Sequence, residues 1–444
     1  MINKPLRLSL ALLLCVSLLF EKGHAQNSTR SPYSYSGIGD ISYPGFAQHV
    51  GMGRTGRANQ SEYEFTNLNP ASYAHLKLTS MQIGGRGDMG RFTAGNKEST
   101  FSNATLGYFS LGFPILEKTG TSLVFGVLPH SNVGYNLVGE EKFDSFDVRN
   151  NYTGNGGLTK VYAGTGIRIG NYLSAGVNVN YLFGNINENQ ARVYLNNKDL
   201  FSYATETSNH LGGFNADFGV QFSSQTTKGI KHTLGATYHI GNELDANLNR
   251  LVRTFNAQGG FYIDTIEYLS DANSSFKLPN GMGFAYQISK PENWGLNLEW
   301  SSYQWSDFRQ GGVNPGYKNS STLSGGFFYQ ASKTMEKGAV KGEKFKKYVK
   351  NIRYTAGGYL HQSYVFVNST QIKEFGTTLG LQLPVMRQIK LPGGEQLTLV
   401  SRVNISAEYA QRGTTENNLL KEDYVRIYLG FSFSDKWFIK RKFQ

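Results

Sequence analysis

The sequence predicts an all-β fold, a transmembrane antiparallel β-barrel of about fourteen strands with an N-terminal luminal plug (hatch). Three observations predict it: an export signal, period-two alternation repeated along the chain, and connections that alternate between short and long.

The export signal comes first. Lys4 and Arg7 form a basic start, residues 8–20 are apolar, and Gly23-His24-Ala25 supplies a small-x-small cleavage site, so residues 1–25 read as a signal peptide and Gln26 as the mature start. The apolar run is too short and wrongly flanked to serve as a spanning helix. Cys15 lies inside it, away from any lipoprotein-type site, and the mature chain has no cysteine. The expected location is the outer membrane of a Gram-negative bacterium, with membrane lipid as one partner.

Composition narrows the class. The 444 residues include 52 glycines and 14% aromatics, and the mean hydropathy is −0.38. Such a chain is neither a helical membrane protein nor a typical soluble enzyme. No linker, composition break or charge block divides it, so residues 78–444 read as one barrel. The net charge of +12 is spread one or two residues per strand rather than clustered with aromatics, and no nucleic-acid partner is expected.

Alternation defines the strands. In residues 172–183, Leu173, Ala175, Val177, Val179, Tyr181 and Phe183 share one face, while Ser174, Gly176, Asn178 and Asn180 share the other. Residues 214–222, 234–240, 294–300, 375–383, 397–409 and 425–433 repeat the pattern; in 397–409 the polar set includes Arg402, Asn404, Ser406 and Glu408. Soluble strands usually show Lys, Glu and Thr outward. Here the second face is Gly, Ser, Asn and single charges, as in a crowded barrel interior. Tyr172, Trp294, Tyr409 and Trp437 near run ends suit interfacial girdles, although core aromatics would look the same.

The connections support the same reading. Residues 170–171, 223–229 and 289–293 are short, whereas 139–156, 185–209 and 245–274 are long, matching short periplasmic turns and long outer loops. The segment 332–353 carries seven lysines and an arginine and falls on the periplasmic side by strand count. It reads either as a solvated loop or as a dock for an acidic periplasmic or secretion-machine protein.

Residues 26–77 lack sustained alternation and are expected to form the plug. Asn69 is a favoured N-cap and Pro70 a favoured first helical residue, so Asn69-Pro70-Ala71 predicts a single helical turn running toward Leu76. It is either a helix start in a periplasmic tail or part of a luminal stopper. A tail of this length offsets its ordering entropy only by packing on a surface.

Within that segment, GMGRTGRANQSEYEFTNLNPASYAHL resembles the N-terminal segment of the FadL-like outer-membrane transporters, the long-chain fatty-acid transporter family. The matching positions are Gly51, Gly53, Gly56, Ala58, Asn69, Pro70 and Ala71. Ser72-Tyr73-Ala74 follows where that family usually has Gly-Leu-Ala, and Glu62 or Glu64 stands where it has Asp. The chain end, with QRGTTENNLLKEDY and DKWFIKRK, resembles a Bacteroidetes-type subgroup that includes PorV-like proteins serving protein secretion.

The resemblance implies fourteen strands around a hatch and a kinked third strand as a lateral exit. Pro129 and Gly134 are where this chain would place that gate; Pro129 is equally suited to ending the membrane part of the strand. Tyr33, Tyr35, Tyr43 and Phe46 are candidates to line a ligand pocket or simply to pack the plug. No catalytic residue, metal site or cofactor is expected. His210 and Asp217 lie near one rim, but nothing resembles a nucleophile elbow, a metal-ligand spacing or a phosphate loop.

The expected function is therefore uptake or passage of a small hydrophobic, fatty-acid-like compound through a plugged lumen. The alternative is a non-transporting accessory barrel of a secretion or outer-membrane assembly machine. A closed apolar pocket touching the plug would favour transport; a polar-filled lumen with apolar surface on the outer loops would favour the accessory role.

Overall fold

Alternating side chains can satisfy a bilayer only if the backbone closes on itself, because no water is available there to hydrogen-bond a free sheet edge. A computed structural model describes Thr29 and residues 31–143, 146–195, 200–257, 262–331, 344–390 and 396–437. The signal segment 1–25 and residues 438–442 of the C-terminal motif lie outside the described residues.

Fourteen strands form the wall. They are β1 (Thr79–Ala94), β2 (Lys97–Leu116), β3 (Thr121–Phe143), β4 (Phe146–Ile169), β5 (Leu173–Tyr194), β6 (Ser202–Gln225) and β7 (Lys231–Ile240). The ring continues through β8 (Gly281–Lys290), β9 (Trp294–Tyr303), β10 (Ser320–Gln330), β11 (Arg353–Val367), β12 (Thr370–Lys390), β13 (Gln396–Gly413) and β14 (Lys421–Asp435). Each pairs antiparallel with the next, and β14 closes on β1 from Asp435↔Thr79 to Lys421↔Thr93.

The two faces are reversed relative to a water-soluble sheet. Val179, Phe214 and Leu379 are 54%, 60% and 66% exposed, whereas Asn180, Gln221 and Asn404 are fully buried. The apolar set faces lipid and the polar set faces the lumen, as the alternation predicts. The shortest wall strands, β7, β8 and β9, have ten residues each, enough to cross the hydrocarbon layer with tilt.

The expected long connections take a different form. Residues 139–156 and 185–209 are mostly strand, because β3–β4 and β5–β6 run on as hairpins beyond the membrane band. Residues 245–255 and 262–274 fall in an outer hairpin, Glu243–Phe255 with Tyr262–Lys277, whose first strand pairs with the outer half of β6. Beyond the bilayer both faces of a strand meet water. Alternation then disappears although the pairing continues, and a polar strand reads as a loop. Of the Lys-rich turn, residues 344–351 form the helix Lys344–Asn351 and Arg353 begins β11; residues 332–343 lie outside the described residues.

Val179→Arg would put a guanidinium into the lipid-facing belt, at an expected cost of about 2–4 kcal/mol near the midplane. Equilibrium urea unfolding in lipid vesicles measures this, with Leu200→Arg, beyond the band, expected to cost less than about 1 kcal/mol.

Candidate functional site

The N-terminal segment lies inside the ring and contacts all fourteen strands. Gln48 bonds Gln82 on β1, the Ala47 amide donates to Tyr108 on β2, and the Ser42 amide donates to the His130 carbonyl on β3. Pro70 and Tyr73 press on Gly166 of β4, and His75 meets Ser174 on β5. Asn69 donates to the Val220 carbonyl on β6, Arg57 to Thr237 on β7, and Gln287 of β8 donates to Asn59. Arg57 pairs with Glu299 on β9, Met52 abuts Gly326 on β10, and Tyr364 of β11 donates to the Ser36 carbonyl. Gly53 donates to Thr378 on β12, Arg54 pairs with Glu408 on β13, and Ser434 of β14 donates to the Tyr63 carbonyl.

Local chemistry sets this path. Asn69 adopts extended backbone and its side-chain oxygen accepts from the Ala71 amide at 3.0 Å. Pro70 is the first residue of the turn Pro70–His75, which is a 3-10 helix. The Asn69 amide group donates to the Arg57 carbonyl at 2.9 Å, which joins the Asn-Pro-Ala turn to the glycine-rich stretch. Gly53 has φ +65°, and a Cβ there would lie 2.2 Å from the Gly325 carbonyl oxygen. Both facts require glycine. Gly51 fits against Thr355 and Ser406, Gly56 against Leu68 and His49, and Ala58 and Ala71 are buried. Burial pushes the His49 imidazole down to about 4, so it stays neutral and its Nδ1 accepts from the Phe46 amide at 3.2 Å.

Charges fasten the plug to the wall. Glu299 is 4% exposed and accepts from the Gly56 amide at 2.9 Å, the Arg57 amide at 3.0 Å and the Arg57 guanidinium. Arg54 forks onto Glu408 at 2.8 and 3.0 Å, and Arg426 bridges Glu408 at 2.6 Å and Glu374 at 3.1 Å. Tyr359 donates to Glu374 at 2.6 Å, under the Arg54 guanidinium at 4.1 Å from the ring. Arg402 meets Glu64 at 3.3 Å, and Arg412 meets Asp40 at 2.6 Å. A cavity of about 250 Å³ remains between plug and wall, and Arg54, Arg57, Asp217, Glu299, Glu374 and Arg426 are on its surface.

Of the aromatic candidates, Tyr43 lines this cavity. Tyr33 donates to the Leu420 carbonyl at 2.5 Å, Tyr35 is half-exposed at 5.3 Å from Tyr135, and Phe46 is buried between Phe65 and Tyr108. Those three pack between the plug and the wall. His210 and Asp217 do not meet: His210 bonds Asn185, and Asp217 bonds His239 at 2.6 Å and Asn180 at 2.9 Å.

The third strand carries the wall's discontinuity. β2 and β3 pair from Leu116↔Thr121 only as far as Phe109↔Val127, and beyond that β3 pairs with β4 alone among the wall strands. The register slips between Pro129 and Ser131, and Gly157 on β4 and Gly184 on β5 take positive φ beside that slip. The plug fills part of the opening with the two-residue strand Asp40–Ile41, paired to Asn132 and Ser131. Gly134 donates its amide to Ser34 at 3.1 Å. A narrow recess between Thr105 and Gly107 of β2, Pro129 of β3, and Tyr43 and Pro44 of the plug marks the gap.

A closed fourteen-stranded ring, apolar outside and filled by its own N-terminal segment, defines a FadL-fold outer-membrane β-barrel. The family model BamG matches residues 1–444, so the chain belongs to the BamG family. A search of curated proteins by sequence gives no match. Among solved structures, the chain is similar to the Pseudomonas putida toluene transporter TodX, with 14% identity, 90% of this chain and 100% of that chain covered, and a TM-score of 0.57. It is also similar to the CymD monoaromatic hydrocarbon channel (13% identity, 89% and 98% covered, TM-score 0.53). A Pseudomonas aeruginosa FadL homologue matches at 12% identity, with 89% and 98% covered and a TM-score of 0.52.

Sequence reasoning missed Arg54, Arg57, Glu299, Glu374 and Arg426 as site residues. One signal was available: an isolated charge on the lumen face of a spanning strand requires a partner, and Glu299 stands alone between apolar residues in LNLEW. Arg57→Ala leaves Glu299 buried without its cation and is expected to weaken plug docking by about 3–5 kcal/mol. Hydrogen exchange of the amides in residues 47–75 measures this, and the double change Arg57→Met with Glu299→Leu is expected to restore most of the protection.

Proposed function

We propose that this protein is a sealed FadL-fold barrel that acts as an accessory subunit of an outer-membrane assembly machine rather than as a conduit. The observation that carries this reading is the filled lumen, in which the plug reaches every strand and the remaining cavity has fixed charges on its wall. The cavity wall is mixed: Leu68, Phe101, Leu128, Trp305 and Tyr364 lie on it beside the charged groups, and a hydrocarbon gains little where it meets those charges. Apolar surface is found outside as well. Phe201, Tyr262, Ile266 and Tyr268 on the outer hairpins are 53%, 55%, 64% and 73% exposed, beside acidic Asp264 and Glu267. Isolated apolar residues on a surface need no explanation, but a cluster of this kind suits a protein contact. The family designation, BamG, hints at association with such a machine. In this reading the helix Lys344–Asn351 of the Lys-rich segment is a second candidate contact, expected on the periplasmic side.

The gap between β2 and β3 favours a second reading, passage of a small hydrophobic compound past Tyr43 and out through the wall at Pro129 and Gly134. TodX and CymD are described as a toluene transporter and a monoaromatic hydrocarbon channel.

Purification from the native outer membrane without crosslinking separates the two. A stable protein complex without stoichiometric lipid is expected; bound lipid and no protein partner would overturn the accessory role. Deleting Asn69 to Ala74 removes the cap and turn that hold the plug against β4, β5 and β6. It is expected to raise permeability to small solutes in proteoliposome swelling while leaving a folded barrel, and unchanged permeability would refute the plug as the seal.

A further inference from the structure

The opening between β2 and β3 leaves a sheet edge whose use the plug itself illustrates. Within β3 the register with β4 runs without a slip from Ser131↔Leu158 to Phe143↔Phe146, so its backbone groups alternate regularly between β4 and the open side. The Gly134 amide donates to Ser34 of the plug, which fixes even-numbered residues as those facing the opening. Asn132 and Ser131 already hold the plug strand Asp40–Ile41 on that edge. Past Gly134 no described residue pairs with it. Asn136, Val138, Glu140 and Lys142 therefore present a row of main-chain donors and acceptors over about 20 Å.

We propose that this edge of β3 binds an extended polypeptide segment of a partner protein by strand addition, continuing the line begun by the plug strand. The inference rests on the accessory-subunit reading above. A lipid chain cannot satisfy main-chain amides, whereas an added strand pairs with each of them. Glu140 is matched by Arg149 at 2.9 Å and Glu141 by Arg192 at 3.1 Å, so the edge carries no unbalanced acidic charge to repel an incoming strand. Val138, 61% exposed on the outward face, calls for an apolar side chain opposite it. A second copy of this chain fits poorly. Barrel strands tilt by roughly 40°, so a copy related by a two-fold axis along the membrane normal would cross β3 at roughly 80° and could not pair with it.

The test places a photo-crosslinking residue at 136, 138, 140 or 142 in the full-length protein and maps the adducts in native membranes. Adducts that step two residues at a time along one segment of a partner protein are expected, because side chains on one face of paired strands advance together. Val138→Pro removes an amide aimed at the opening, not one bonded to β4, and is expected to cut the adducts at 136 and 140 roughly tenfold. Val138→Ala, which keeps the amide, is expected to change them less than about twofold. Heat-modifiable gel mobility checks folding of each variant; if the proline variant does not fold, the stepping of the adducts decides alone. Adducts to lipid only, to another copy of this chain, or scattered over a partner without a two-residue step would overturn strand addition. A stable complex with scattered adducts defeats this inference alone; bound lipid with no complex defeats the accessory reading with it.

Discussion

The lumen is organised around the carboxylate of Glu299. A carboxylate taken out of water is costly unless cations and donors surround it, and the groups that donate to this one come from the plug: two successive backbone amides and the Arg57 guanidinium. Wall and plug are consequently one folding problem. An empty barrel would leave Glu299 without its cation and Glu374 and Glu408 sharing Arg426, and an undocked plug would carry Arg54 and Arg57 without partners. The carbonyl of Arg57 accepts from both Asn69 and Gln221, so the same residue that neutralises the wall also seats the Asn-Pro-Ala turn.

Glycine supplies the complementary condition. Ion pairs of this kind require the plug backbone to touch the wall backbone, and side chains on the lumen face would hold it away. At Gly326 a Cβ would lie 2.1 Å from the Met52 carbonyl oxygen, and at Gly219 it would lie 2.0 Å from the Asn69 side-chain oxygen. The glycines on the polar face of the alternating runs therefore mark the track of the plug. Much of the crowded interior is occupied by the chain's own N-terminal segment.

How much of this was legible depended on which solvent enforced the pattern. Residues 172–183 and 397–409 showed their faces because lipid tolerates only apolar side chains outside, and Pro129 announced a break because it cannot donate to a ladder. The Asn69 cap was legible because its partner is two residues away. The pairing of Arg54 with Glu408 spans 354 positions and that of Arg57 with Glu299 spans 242, so no local pattern could join them. Gly157 and Gly184 take positive φ in β4 and β5 beside the slip in β3, a relation that exists only once the three strands are in register. The outer hairpins were hidden for the opposite reason. With water on both faces, residues 185–194 and 202–209 keep their pairing but lose the alternation that would reveal it.

Shared architecture with hydrocarbon channels then says less about cargo than about folding. The closed ring answers the demand that backbone groups be satisfied in a bilayer, and among the described wall strands that demand is relaxed between β2 and β3, where the third strand is interrupted. Arg54 and Arg57 border the cavity, and separating them from Glu408 and Glu299 would leave an uncompensated buried charge at a cost of about 3–5 kcal/mol. A barrel that stays shut keeps both pairs intact. A lumen fastened by ion pairs and a sheet edge without a wall partner are thus compatible within one closed ring.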